Sequence, residues 1–391
     1  MFAPSDQHRN SMSTRIFWVV FSTVLAGGAV WMATALHAQN TTSKRNFKTG
    51  KDIYMSGCVA CHGAEGNGQS RVLQGFERPS TFPDFTSCRG STPEPNIQWQ
   101  AIITNGGPAR GFSQIMPSFR GVLTQDEIKM VVRYLRTLCT NKAWPQGDLN
   151  LPRAFVTEKA FPEDEVVVQS AANMEGYPSG NVTTFYEKRL GATDMIEVQV
   201  PYGWNNDGTN GTHSAFGDIA LGYKRKLWSS LRTGSIVSAG AEVIAPTGSK
   251  TAGTGGESTT FELFGAWGQI LPKDSFVQVH TGFELPAHTN IVPNAFYFHT
   301  AVGKTFSQGW MGLGRRWTPM NEFIVDRDLV TGAMTNFDVI PQIQIPISKR
   351  MHILADIGFQ VPVNNTAGRS TQVLFYVLWD YADGSLRKGW R

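Results

Sequence analysis

Three residues within five positions carry the most specific chemistry in this sequence. Cys58 and Cys61, separated by Val59 and Ala60, precede His62. Two thiols at that spacing share one turn, where they reach the two vinyl groups of a porphyrin, and the adjoining imidazole reaches the iron. The expected cofactor is one covalently attached haem c. A C-x-x-C pair alone also suits a redox or zinc site; His62 directly after it and Gly63 next favour haem.

The second axial ligand follows by elimination. His62 is the only histidine between residues 40 and 160, and Met55, Met116 and Met130 are the nearby thioethers. Met55 lies on the same side of the haem as the attachment turn, and Met130 falls within an expected helix. Met116 stands in RGFSQIMPSFRG, a loop punctuated by Gly and Pro that can carry sulfur to the iron. Imidazole and thioether together raise the reduction potential and close the iron to substrate. That points to electron transfer more than to catalysis. Arg110, close to this loop, is the candidate contact for a haem propionate. Arg71, Arg78, Arg89 and Arg120 join it as a basic surface, which suits either plain solvation or an acidic partner.

Helices must hold these groups in place. Asn46 to Gly57 reads as a helix leading into the attachment turn, and Asn96 to Ile103 as a shorter one. Thr124-Gln125-Asp126-Glu127 is a capping box, with Ile128, Val131, Val132, Leu135 and Leu138 on one face after it. Cys88 and Cys139 complete the cysteines. They are either a disulfide, as an oxidising compartment favours, or two buried thiols.

Residues 40 to 145 resemble a class I cytochrome c. The likeness rests on GKDIYMSGCVACHG (50–63), MPSF (116–119) and the closing VVRYLRTL. It implies that Gly50 and Tyr134 pack the first helix on the last, and that Pro117 shapes the methionine loop. Cys88 and Cys139 lie outside that pattern.

The chain has 391 residues, 17% charged side chains and a net charge of +4, with no long basic run, so nucleic acid is not an expected partner. Arg9 and Arg15 precede an uncharged stretch from Ile16, with small residues at Ala35 and Ala38. This reads as a signal peptide over 1–38, the alternative being an uncleaved anchor. The expected division is then 39–140 for an all-α cytochrome domain, 141–163 for a linker with three prolines, and 164–391 for a β domain.

From Asp164 the apolar residues alternate with polar ones in about twelve long segments, among them 309–318 and 351–363. Aromatic residues stand at their ends: Tyr202, Trp204, Trp228, Trp310, Trp317, Tyr376, Trp379 and Tyr381. Spanning strands need about nine to eleven residues, longer than the usual strand of soluble proteins. The expectation is an antiparallel transmembrane β-barrel in the outer membrane, the alternative a soluble sandwich. Glu197, Glu284, Asp338, Asp356, His280, His299 and His352 would then face the lumen.

Residues 165–381 resemble small outer-membrane barrels of the phenol-degradation-pathway porin type, through TTFYEKRLGATDMIEVQVPY, FGDIALGYKRKL and AGAEVIAPTGSK. The whole chain is similar to cytochrome–porin fusions of metal-oxidising bacteria. That resemblance implies electron exchange between a small-molecule or metal donor at or in the barrel and a periplasmic redox carrier. A pore for a small solute, with the cytochrome for sensing or coupling, is the alternative. Twelve strands close into a backbone cylinder roughly 24 Å wide. A 100-residue domain is about 30 Å across, so the haem domain should sit outside the lumen, on the periplasmic side.

Overall fold

A computed structural model of the chain describes residues 47–69, 75–307 and 316–388. The expected signal peptide, Arg71 and Trp310 lie outside them. Thr49–Arg391 is one unit, and the description below concerns that unit.

The N-terminal part is helical. Helices α1 (Gly50–Gly57), α2 (Val59–His62), α3 (Cys88–Ser91), α4 (Asn96–Asn105) and α5 (Gln125–Leu138) follow in order. Thr49 caps α1 reciprocally with Asp52, and Thr124 caps α5 reciprocally with Glu127. Each box satisfies amide donors that the first helical turn leaves free. Ile128, Val131, Val132 and Leu135 are buried along one face of α5, as the heptad-like spacing requires.

Helix α1 crosses α5 at Gly50. A Cβ there would collide with the Met130 carbonyl and come within 3.1 Å of Tyr134 Cβ. The Tyr54 and Tyr134 rings lie 5.2 Å apart at the same crossing. Gly50→Ala should therefore separate the helices and lower the stability of this part by roughly 1–3 kcal/mol. Thermal loss of the haem-band circular dichroism measures it. Cys88 and Cys139 form a disulfide joining α3 to the end of α5.

The rest of the chain forms a closed barrel. Its strands are β1 (Glu165–Asn173), β2 (Ser179–Leu190), β3 (Asp194–Asn206), β4 (Ile219–Ser230), β5 (Ser235–Ala245), β6 (Thr260–Leu271), β7 (Ser275–Pro286), β8 (Ala295–Lys304), β9 (Arg316–Asp328), β10 (Asn336–Pro346), β11 (Ile353–Pro362) and β12 (Gln372–Asp380). Neighbours in sequence pair antiparallel, and β12 returns to β1 with Glu165 opposite Asp380. Two short segments add to this cylinder: Thr212–Phe216 extends β3, and Phe306–Ser307 pairs with β9.

The alternation is inside-out. Along β4, Leu221 and Leu227 are 58% and 60% exposed, whereas Lys224 between them is 1% exposed. Glu187, Gln278, Glu322 and Asp356 are buried within, while Phe261, Phe283, Phe323, Ile357 and Phe375 face outward. A closed cylinder with apolar residues outside and charged ones inside belongs in lipid, and this excludes the sandwich.

Three expectations need correction. Residues 309–315 of the segment expected at 309–318 lie outside the described residues, and the strand that holds its last residues runs on to Asp328 instead of ending at 318. Pro319 lies within this strand, opposite Ile343 of β10 and just before the ladder to β8 begins at Met320 opposite Gly303, so no amide is needed from it on the β8 side. Met351 and His352 precede β11 instead of opening it. Met351 has a left-handed φ of 64° in the turn, and His352 bonds to Ser348 and to the Ser385 carbonyl at the barrel end, outside the lumen wall. Tyr376 points inward instead of joining the aromatic ends. It is fully buried and donates to the Arg153 carbonyl.

Candidate functional site

The attachment turn is built from two short helices meeting at Cys58. The His62 amide donates to the Cys58 carbonyl at 2.9 Å, so Cys58, Cys61 and His62 share one turn. Gly63 ends it with φ 73°, and a Cβ there would lie 2.7 Å from the Gly68 carbonyl oxygen. The Gly68 and Gln69 amides donate to the carbonyls of His62 and Cys61, and the Tyr54 hydroxyl donates to the Gly63 carbonyl at 2.6 Å. The backbone of the turn is thus fixed from two sides, while both cysteines are half-buried and outside any disulfide.

The His62 ring packs against Phe82 and Phe85, each with its centroid 5.0 Å away. Its Nδ1 is buried without a hydrogen-bond partner. Burial holds the imidazole down to about 4. The ring is therefore neutral near pH 7, the state that binds a metal. Burial, then the neighbouring Cys61, pushes the Cys58 thiol up to about 11. At that value the thiol is protonated near neutral pH. Two accessible thiols beside a neutral imidazole fit a covalently held haem.

The methionine loop folds onto α4. The Gly107 amide donates to the Met116 carbonyl at 3.0 Å, and the Phe119 amide to the Ile103 carbonyl at 3.0 Å. A Cβ on Gly107 would collide with the Ser113 carbonyl, which explains the glycine. The Phe119 ring lies against Gly57, one residue before Cys58, with 3.5 Å to a Cβ built there. This contact brings the loop beside the attachment turn. Met116 is half-buried and Pro117 exposed.

Arg110 and Arg89 stand elsewhere. Arg110 is 8% exposed and its guanidinium contacts Met351 Sδ of the barrel. Arg350 donates to the Gly111 carbonyl at 3.0 Å and stacks over Phe112 at 4.6 Å. Arg89 pairs with Asp164 at 3.6 Å. Two members of the expected basic surface thus dock the helical part onto the barrel end where β1 starts and β12 stops. Arg120 remains exposed and bonds to Asn105, and Arg78 lies over the Phe82 ring.

The linker holds residues that its composition does not announce. From Leu149 to Glu163 it runs inside the barrel. Leu149, Ala160 and Phe161 pack with Ile236 and Ala266, and Phe155 packs with Ile324, Leu374 and Tyr376. Glu322 accepts the amides of Phe155, Val156 and Thr157. Arg153 pairs with Glu165 and Glu187, Lys159 with Glu163 and Glu165, and Lys224 with Glu158. The only hints in the sequence are the apolar residues of the linker and the ion-pair partners scattered over separate strands.

Residues 45–135 match the family model described as cytochrome C oxidase, cbb3-type, subunit III. No curated protein matches the chain. Among solved structures, an outer-membrane channel from Pseudomonas putida F1 is 10% identical with a TM-score of 0.40, over 59% of this chain and 99% of that one. The KdgM porin is 8% identical with a TM-score of 0.36, over 56% and 99%. The beta domain of the Bordetella autotransporter BrkA is 9% identical with a TM-score of 0.36, over the same shares. The match to a cytochrome family model at residues 45–135 is thus followed by a closed twelve-strand antiparallel barrel.

Proposed function

We propose that this protein is an outer-membrane-anchored monohaem cytochrome that passes single electrons between a periplasmic carrier and a donor or acceptor at the barrel. The carrying observation is the attachment turn itself: Cys58 and Cys61, neither in a disulfide, share one turn with a half-buried, neutral His62. Cys58 and Cys61 would hold the haem covalently, His62 and Met116 would bind its iron, and Pro117 would shape the approach of Met116. Haem held in this way supplies reversible one-electron chemistry at iron. An even strand number brings the start of β1 and the end of β12 to one side, which is the periplasm in outer-membrane barrels. The haem domain docks at that end through Arg89, Arg110 and Arg350, so the barrel acts as its anchor.

Met116→Leu tests the ligand set. Covalent haem content should stay unchanged, while the potential falls and the spectrum loses its thioether signature. An unaltered potential and spectrum would remove Met116 from the coordination sphere. Spectroelectrochemistry of the intact protein in liposomes, with donors on one side only, tests the direction of electron exchange.

A further inference from the structure

We propose that Leu149–Glu163 is a resident plug that closes the barrel to solutes, so that the barrel does not work as an open pore. The inference stands whether or not the cytochrome carries electrons.

The segment touches the wall around nearly its whole circumference. Gln169 of β1, Gln278 of β7, Gln344 of β10 and Tyr376 of β12 donate to its carbonyls at Phe155, Pro152 and Arg153. Ser238 of β5 donates to the Ala160 carbonyl, and Lys224 of β4 to the Lys159 carbonyl at 2.7 Å. Glu322 of β9 takes three successive amides, and Met195 Sδ of β3 accepts the Glu163 amide. The ring of Phe155 presses on Gly358 of β11, where a Cβ would stand 2.8 Å from it.

These contacts answer a requirement set by the wall. An open barrel leaves inward polar groups to water. Here the groups at this level are bonded to the segment's backbone, which otherwise needs partners of its own. Ala154, Phe155, Thr157, Ala160 and Phe161 are each no more than 6% exposed. The cavities that border the segment measure about 180 and 280 Å³.

The haem-loaded, full-length protein in liposomes tests closure. No swelling with a small neutral sugar and no stable conductance steps are expected; open-channel conductance in the unaltered protein would overturn the proposal. Thiol labelling gives a second reading, because the native cysteines are committed to haem and disulfide. Ala154→Cys should resist a membrane-impermeant maleimide until the protein is unfolded, whereas Thr209→Cys in an exposed loop should react at once. Equal labelling at both positions would mean that the segment does not reside in the lumen. Glu322→Ala in the Ala154→Cys background should raise labelling at least tenfold; a folded protein with unchanged labelling contradicts the latch assigned to Glu322.

Discussion

Serine in place of both Cys58 and Cys61 should abolish the covalent haem proposed for this turn, and with it the proposed electron exchange, while the barrel still folds. The two thiols are the only described cysteines outside the Cys88–Cys139 bridge. No other sulfur can replace them. Serine preserves the turn, because that turn is held by backbone bonds from Gly63, Gly68 and Gln69 and by the Tyr54 hydroxyl. The loss is therefore chemical and not structural. Haem staining after denaturing electrophoresis should fall from full to background in the double variant, and each single variant should keep a weaker, more extractable signal. The heat-modifiable mobility of the barrel should not change. A double variant that still carries haem through denaturing electrophoresis would refute attachment at this turn.

The haem domain was legible because its signals are local. Cys58, Cys61 and His62 lie within one turn, Thr124 and Glu127 cap within another, and Gly50 needs only the identity of its partner helix. The barrel was legible for a related reason. Alternation along each strand records which face meets lipid, and a period of two survives without knowledge of the neighbours. The strand whose expected end was residue 318 runs on past Pro319, because the tolerance of that proline depends on where the next ladder begins, which no single segment encodes. Tyr376 misled for another reason: it stands at the middle of β12 and not at its end, and it alternates inward with Leu374 and Leu378, where it donates to the Arg153 carbonyl.

The plug was illegible for a deeper reason. Arg153 and its partner Glu187 are 34 residues apart, and Glu322 lies 165 to 167 residues from the amides it accepts. Composition marks residues 141–163 as a connector with prolines and mixed charge. Their charges are matched one by one to inward charges on strands that sequence spacing cannot assign to one level. Lys159, Glu163 and Glu165 fall close enough in sequence to suggest mutual pairing, but nothing local shows that they do so inside a barrel.

Arg153→Met should loosen this arrangement more than any other single change in the linker. Arg153 is 6% exposed and faces Glu165 at 2.9 Å and Glu187 beside it. Lys159 gives Glu165 a second partner at 3.5 Å, whereas Arg153 is the only ion-pair partner of Glu187 among the described residues. Methionine keeps the volume and removes the charge, so Glu187 is left in a dry interior without compensation. Breaking a buried pair from one side costs about 3–5 kcal/mol, chiefly through the stranded charge. The temperature at which the folded band converts on heating should then fall by on the order of 10 °C. Arg153→Met combined with Glu187→Gln should recover more than half of that drop, because the stranded charge is gone. Arg153→Lys should fall between, since it keeps the charge and loses the planar fork that reaches two carboxylates at once. Equal drops in the single and the combined variant would show that Arg153 acts through packing alone, and the ion pairs would then have no part in holding the linker inside the barrel.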